Sequence, residues 1–391
     1  MTAHRWYVGL DIGSSTVAVA TATHDAAGQV ALAGCEVLPS AGVVRGEVVD
    51  AAALEQVLAA ALRRVAERTG APVERVALSV SGLHLRRVTA AAEQRTPRAV
   101  RVEADMLEAL HRRALRDPRV AGVVLASVPR GCTVDGFPVV DPLAGLYGHV
   151  VRVKMEAYSI PTSYVDTRAR ILARLGAEVD LLMPRAMAAA EAALPASVRE
   201  QGALLIDLGG TTTDVAVYLD GQIRELFSMP IGVRSVATLG RGVTPVASGA
   251  RGYPAPRTVP GGGMVDLFHR IRQRLDDLDL GWRLAGGAVL AGGGAGIDGV
   301  LGAAQRGLRI PVRLARPGGP RFSDTRTTGA VGLVLAQARL RPLEPAPEGV
   351  FGMDETLPDE FEEVEPEPPR PGLWPALGRW LREFVPLGGT D

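Results

Sequence analysis

Apolar positions in the first 35 residues fall into short runs, Val8–Ile12, Thr16–Thr23 and Val30–Cys35, separated by polar residues and glycine. Runs of this length bounded by turn residues predict strands joined as β-hairpins. Asp50 then precedes a stretch whose apolar residues recur at Leu54, Val57, Leu58, Ala61, Leu62 and Val65 and which stops at Gly70. That spacing is the period of an amphipathic helix with a capping acid in front and a glycine behind. "RVALSVSG" predicts the next strand, so strands, a helix and a further strand follow in the order of an α/β domain with a mixed sheet.

From His84 the pattern changes. Strand-like "LRRVTAA", a helix "EADMLEALHRRALRD", the strand "VAGVVLASVP", the turn "TVDGFPVVDPLAGLYG" and the strand "HVVRVKMEAY" predict a compact α+β piece, residues 84–158. It is inserted into a first lobe that begins with residues 1–83 and is completed by 159–190. A helical run from about Ser163 to Leu175, the short strand "AEVDLLM" and the alanine-rich helix "PRAMAAAEAAL" lead to a second lobe over 191–341.

Two stretches share one scheme. "VGLDIGSSTVAV" (Val8–Val19) and "LLIDLGGTTTDVAV" (Leu204–Val217) each place an aspartate, Asp11 or Asp207, in an apolar run, with glycine and a cluster of hydroxyls behind it. An unpaired carboxylate in a strand core is costly, so each acid is either solvated at a turn or meets a cation. Gly13, Gly209 and Gly210 permit close approach of a ligand. With Ser14, Ser15 and Thr16 in one turn, and Thr211, Thr212 and Thr213 in the other, several donors can converge on a phosphate. Asp11 and Asp207 would then hold Mg²⁺ through its waters from opposite sides. A third stretch, "AVLAGGGAGIDGVL", runs the strand Ala288–Leu290 into Gly292, Gly293 and Gly294 before a helix near Ile297. Without a Cβ, that backbone can lie flat against a purine or ribose. For a hydrolytic base, Glu191 on the helix before the second hairpin and Asp214 just behind it are the candidates, against a bland reading of both as structural acids.

Composition narrows the class. The chain has 391 residues, 47% of them hydrophobic, and no formal net charge, which excludes bulk electrostatic binding of nucleic acid. Cys35 and Cys132 form no metal-ligand pattern and suit a reducing compartment. No signal-type apolar core precedes Asp11, and no run approaches the ~18 apolar residues of a membrane span. A cytoplasmic main body is expected. Lys154 is the one lysine in the chain, so a catalytic lysine at either hairpin has no nearby candidate.

In order and spacing, "GLDIGSST", "GVVRGEVVD", "VALSVSGLHLRR", "VDGFPVVDPLAGLYGHVVRV", "PRAMAAAEAAL", "LLIDLGGTTTDVAVY" and "VLAGGGAGIDG" resemble the bacterial cell-division protein FtsA. The resemblance covers roughly residues 6–235 and 286–337 and the tail. It implies an actin-like, ribonuclease H-like two-lobed α/β fold with an FtsA-type subdomain inserted in the first lobe. It also implies ATP with Mg²⁺ in the cleft acting as a structural switch rather than a fuel, self-association, FtsZ and other divisome proteins as partners, and at most weak ATPase activity. Two departures weaken the nucleotide expectation. Thr16 stands where the family commonly has lysine, and a hydroxyl contributes no charge to a transition state. Between 234 and 287 the pattern degrades: "VRSVATLGRGVTPVASGARGYPAPRTVPGGG" has no acid and reads as a loop. "GMVDLFHRIRQRLDDLDLGWRL" behind it reads as an amphipathic helix with Val265, Phe268, Ile271, Leu275 and Leu278 on one face.

The tail carries a separate signal. Residues 342–371 are acidic and proline-rich, the composition of a disordered linker. As a flexible chain it would reach roughly 30 Å. In "GLWPALGRWLREFV", within residues 372–386, Leu373, Trp374, Leu377, Trp380, Leu381 and Phe384 share one helical arc, with Arg379 and Arg382 opposite. Such a face fits a bilayer interface and resembles the membrane-targeting helix of FtsA. The expected role is a peripheral adaptor on the inner face of the cell membrane. A scaffold like PilM of type IV pilus assembly and an actin-fold phosphotransferase are the alternatives.

Overall fold

The computed structural model describes residues 5–25, 29–140, 142, 145–239, 261–320 and 322–340. Two five-stranded sheets organise it. In the first, Tyr7–Ile12, Thr16–His24 and Val30–Pro39 form an antiparallel meander. On its other side Tyr7–Ile12 pairs in parallel with Arg75–Val80, which is itself parallel to Glu178–Pro184. The second sheet repeats the plan. Ala203–Leu208, Thr213–Leu219 and Gln222–Met229 form the meander, and Ala288–Ala291 and then Val312–Leu314 extend it in parallel. The two Asp-Gly hairpins therefore occupy equivalent positions, each at the first turn of its meander.

Both faces of each sheet are covered, which is why its central strands read as unbroken apolar runs. Tyr7–Ile12 and Ala203–Leu208 are buried at every position. Outside the first sheet, helices Ala51–Thr69 and Thr162–Arg174 bring Leu54, Leu58 and Ile171 onto Val8, Leu10 and Val19. The longer helix has the caps its sequence announced. The Asp50 side chain accepts the Ala53 N–H, and Gly70 closes the end in the left-handed region at φ 72°. Outside the second sheet, helices Gly261–Asp277 and Val300–Leu308 pack Phe268, Ile271 and Leu308 on Leu204, Ile206 and Val217.

The two inner helices are exchanged between the lobes. Arg185–Ala193 leaves the last strand of the first sheet yet packs Ala188, Ala189 and Ala193 with Leu205, Ala216 and Val289 of the second. Thr328–Leu340 follows the second sheet yet lays Ala330, Val331 and Val334 on Tyr7, Ala18 and Ala20 of the first. Its buried Gln337 accepts the Val8 N–H at 3.0 Å and donates to Asp180 at 2.8 Å. The helices meet at Gly332, where a Cβ would lie 1.6 Å from the Ala188 carbonyl oxygen.

A separate antiparallel sheet orders Arg86–Arg101, Tyr147–Ile160, Val123–Val134 and Phe137–Val139. Helix Ala104–Ala114 covers one face of it through Leu107 and Leu110. This piece leans on the edge of the second lobe: Arg87 pairs with Glu225, and Arg130 donates to the carbonyls of Ile223 and Arg224 at 2.9 and 2.8 Å. Among the described residues no helix is long and apolar enough to cross a membrane.

Two expectations about the elements between 234 and 287 need correction. Leu278, expected on the buried face, lies beyond the helix Gly261–Asp277 and is exposed. The stretch after Arg234 was expected as loop, but Val233–Leu239 is helical. Val233 and Val236, three residues apart, share one face and are buried against the second lobe's core. Residues 240–260, the acidic linker and the C-terminal segment with Leu373, Trp374, Leu377, Arg379, Trp380, Leu381, Arg382 and Phe384 lie outside the described residues.

Gly332→Ala is expected to cost about 2 kcal/mol or more, because the helices must separate to admit the methyl group. Urea unfolding of the variant beside the parent measures it.

Candidate functional site

The hairpin turns face each other across the gap between the lobes. Each is closed by a glycine: Gly13 N–H donates to Thr16 O, and Gly209 N–H to Thr212 O, both at 2.9 Å. The turns also touch. Thr211 Oγ1 donates to Ser14 Oγ at 2.8 Å, and the Arg45 N–H donates to Thr211 Oγ1 at 3.2 Å. Ser15 sits so closely over Gly210 that a Cβ there would stand 1.9 Å from the Ser15 hydroxyl.

Beside this contact lies a cavity of about 240 Å³, smaller than the ~300–1,000 Å³ usual for ligand sites. Of the motif residues, Asp11, Gly13, Ser14, Ser15, Thr16, Asp207, Gly209, Gly210, Thr212 and Gly292–Gly294 line it, and Thr211 and Glu191 do not. The fold adds Leu38, Arg185, Val233 and Arg326 to the lining.

Arg185 is the residue that sequence reasoning missed. Its guanidinium is buried, with Nε donating to Asp11 Oδ1 at 2.9 Å and Nη2 to the Ile12 carbonyl. Burial opposes its charge, but Asp11, Asp207 and Asp214 outweigh that and raise its pKa. Asp11 also accepts the Ser79 hydroxyl. The expectation that Asp11 waits for an outside cation is therefore corrected: a cation of the chain itself meets it. A signal was present in the sequence, since Arg185 is the one charged residue opening an alanine-rich helix that the fold buries. Burial pushes the Asp207 carboxyl up to about 7, Arg185 pulling it down and Asp11 and Asp214 adding to the rise. Asp214 accepts Ser81 Oγ at 3.2 Å and also Ser228 Oγ, so a first-lobe hydroxyl reaches a second-lobe acid.

Glu191 is also corrected. It binds Arg199 at 3.0 Å and Arg339 at 2.9 Å, one on each carboxylate oxygen. It is six residues beyond Arg185 on the same helix, which is about 9 Å along and roughly 120° around the axis from the residue at the cleft. Its burial and pairing make it a structural acid.

A phosphate group finds partners in this cavity. The Ser15 hydroxyl is buried without an acceptor or donor, and Arg185 turns a guanidinium edge to the lining. A magnesium ion fits less well, because Asp11 is already paired with the buried guanidinium of Arg185, whose charge Asp207 also feels.

No protein-family model matches the chain. Its architecture is the actin-like fold. A solved chain of the PilM-PilN type IV pilus biogenesis complex superposes with a TM-score of 0.59 at 17% identity, covering 84% of this chain and 97% of that one. In sequence, the cell division protein FtsA of Pseudomonas aeruginosa is 27% identical over 232 residues, 58% of this chain and 54% of that protein. The match thus spans about half the length of that relative. The cell division protein FtsA of Escherichia coli K12 is 23% identical over 357 residues, 81% of this chain and 85% of that protein. The chain has the actin-like fold and is similar in sequence to the FtsA proteins.

Arg185→Met leaves Asp11 buried without its cation and is expected to cost about 3–5 kcal/mol. Adding Asp11→Asn should recover most of that loss in a double-mutant cycle by urea unfolding. Because the folded-state pKa of Asp207 lies above its ordinary 3.8, the folded chain holds the extra proton, and stability is expected to fall as pH rises from about 4 to about 7. Asp207→Asn should flatten that slope in urea midpoints measured across the window.

Proposed function

We propose that this chain is a cell-division adaptor that attaches FtsZ polymers to the cytoplasmic face of the membrane. The observation that carries this reading is the likeness to the FtsA proteins over 357 aligned residues, on a chain whose actin-like lobes bracket an inserted four-stranded sheet. Attachment is assigned to the stretch carrying Leu373, Trp374, Leu377, Trp380, Leu381 and Phe384, whose sequence spacing would set them on one helical arc opposite Arg379 and Arg382. An amphipathic segment of that size binds a bilayer reversibly. Self-association would multiply such contacts into firm attachment.

ATP or ADP enters as a structural ligand that steadies the closed lobes. Ser14, Ser15 and Gly210 would meet its phosphates and Gly292–Gly294 its nucleoside. A phosphotransferase has less support, because Glu191 is bound by two arginines and Asp214 by two serine hydroxyls. A scaffold of the pilus type is the second reading, favoured by the 97% coverage of the PilM-PilN chain.

The deciding experiment is flotation of fluorescent FtsZ polymers with liposomes, using the full chain and a version ending at Pro369. Recruitment by the full chain and its loss on truncation are expected. Liposome binding without FtsZ would move the balance to the pilus-type scaffold, and absence of liposome binding would remove the adaptor reading.

A further inference from the structure

We propose that the cleft takes a nucleoside phosphate without a divalent cation, the guanidinium of Arg185 standing where a metal ion would otherwise neutralise the phosphates. The proposal deepens the nucleotide reading above and rests on it.

Position is the first argument. Arg185 lines the cavity together with Asp11 and Asp207, one acid from each lobe. The guanidinium is bonded to Asp11 and to the Ile12 carbonyl, and Asp207 and Asp214 are the further charges that face it. Immobility is the second. Arg185 is 5% exposed, and it opens a helix directly behind Pro184, whose φ is held at −56°. Its two hydrogen bonds hold it in place, so a hydrated divalent ion between Asp11 and Asp207 would have to sit beside a fixed positive charge.

Available donors are the third argument. Nε and Nη2 are engaged, and Nη1 has no hydrogen-bond partner among the described residues. Ser15 Oγ, in the turn beside it, is buried and unpartnered. A planar guanidinium bonds phosphate oxygens directly and stays charged. The other cation in the lining, Arg326, is clamped by Asp324 through its Nε and Nη2. Thr16 brings no charge to the first turn, and Lys154 lies on the inserted sheet, in the strand Tyr147–Ile160. Arg326 is half exposed, so Arg185 is the buried cation this cavity offers to an anion.

The test is equilibrium binding of ADP by the full chain in Mg²⁺ and in EDTA, with a Mn²⁺ titration of the protein alone followed by electron paramagnetic resonance. Affinities equal within about twofold in the two media, and no tight Mn²⁺ site, are expected. An affinity that drops about tenfold or more in EDTA, or one tight Mn²⁺ bound per chain, overturns the proposal and leaves the nucleotide reading standing. Absence of ADP binding in both media overturns both. The paired variant Arg185→Met with Asp11→Asn removes both members of the bonded pair together, leaving Asp207 and Asp214 as the remaining acids. It is expected to keep a cooperative unfolding transition while losing ADP affinity about tenfold or more. Undiminished binding by that variant also overturns the role of Arg185.

Discussion

Everything around the cleft depends on one buried ion pair, that of Arg185 with Asp11. Asp11 and Asp207 sit at the ends of the innermost strands of their sheets, and Asp214 lies one strand further out. Three carboxylates brought this close in a low dielectric repel one another and lose their water. A single guanidinium, held by Asp11 and by a main-chain carbonyl, offsets that field. A buried pair of this kind adds little net stability over a well-packed apolar alternative, yet removing one partner is costly. It therefore fixes which residues stand at the bottom of the cleft more than it strengthens the fold.

The pair also ties the site to the architecture. Arg185 begins the helix that crosses to the second sheet, while Thr328–Leu340 crosses to the first. At their contact Gly332 lets a helix backbone approach the Ala188 carbonyl, a separation that any Cβ would prevent. The lobes are joined by Thr211 with Ser14 and by Ser81 with Asp214, and the inserted sheet is joined to the second lobe by Arg87 with Glu225. Opening the cleft means breaking several polar contacts at once, which favours a closed resting shape.

Much of this was legible in the sequence because it is local. Alternation of apolar runs with Gly-containing turns gave the meanders, and the 3.6-residue period with Asp50 and Gly70 gave the capped helix and its bounds. Glycine and hydroxyl spacing nominated the turns that line the cavity. The same local reasoning misjudged Val233–Leu239, because the glycine- and proline-rich run behind it outweighed two valines whose value lies in burying against another element.

By itself, then, the sequence determined the elements, the repeat of the two hairpins and the residue types at each turn, all consequences of neighbours a few positions apart. Tertiary structure alone decided what each buried charge would meet. Arg185 lies 174 residues from Asp11, and Glu191 reaches both Arg199 and Arg339. No spacing rule connects such positions. The choice between an acid that awaits a ligand and one already satisfied rests on which side chain the packing of the exchanged helices delivers, because a buried charge takes the nearest opposite charge the fold provides.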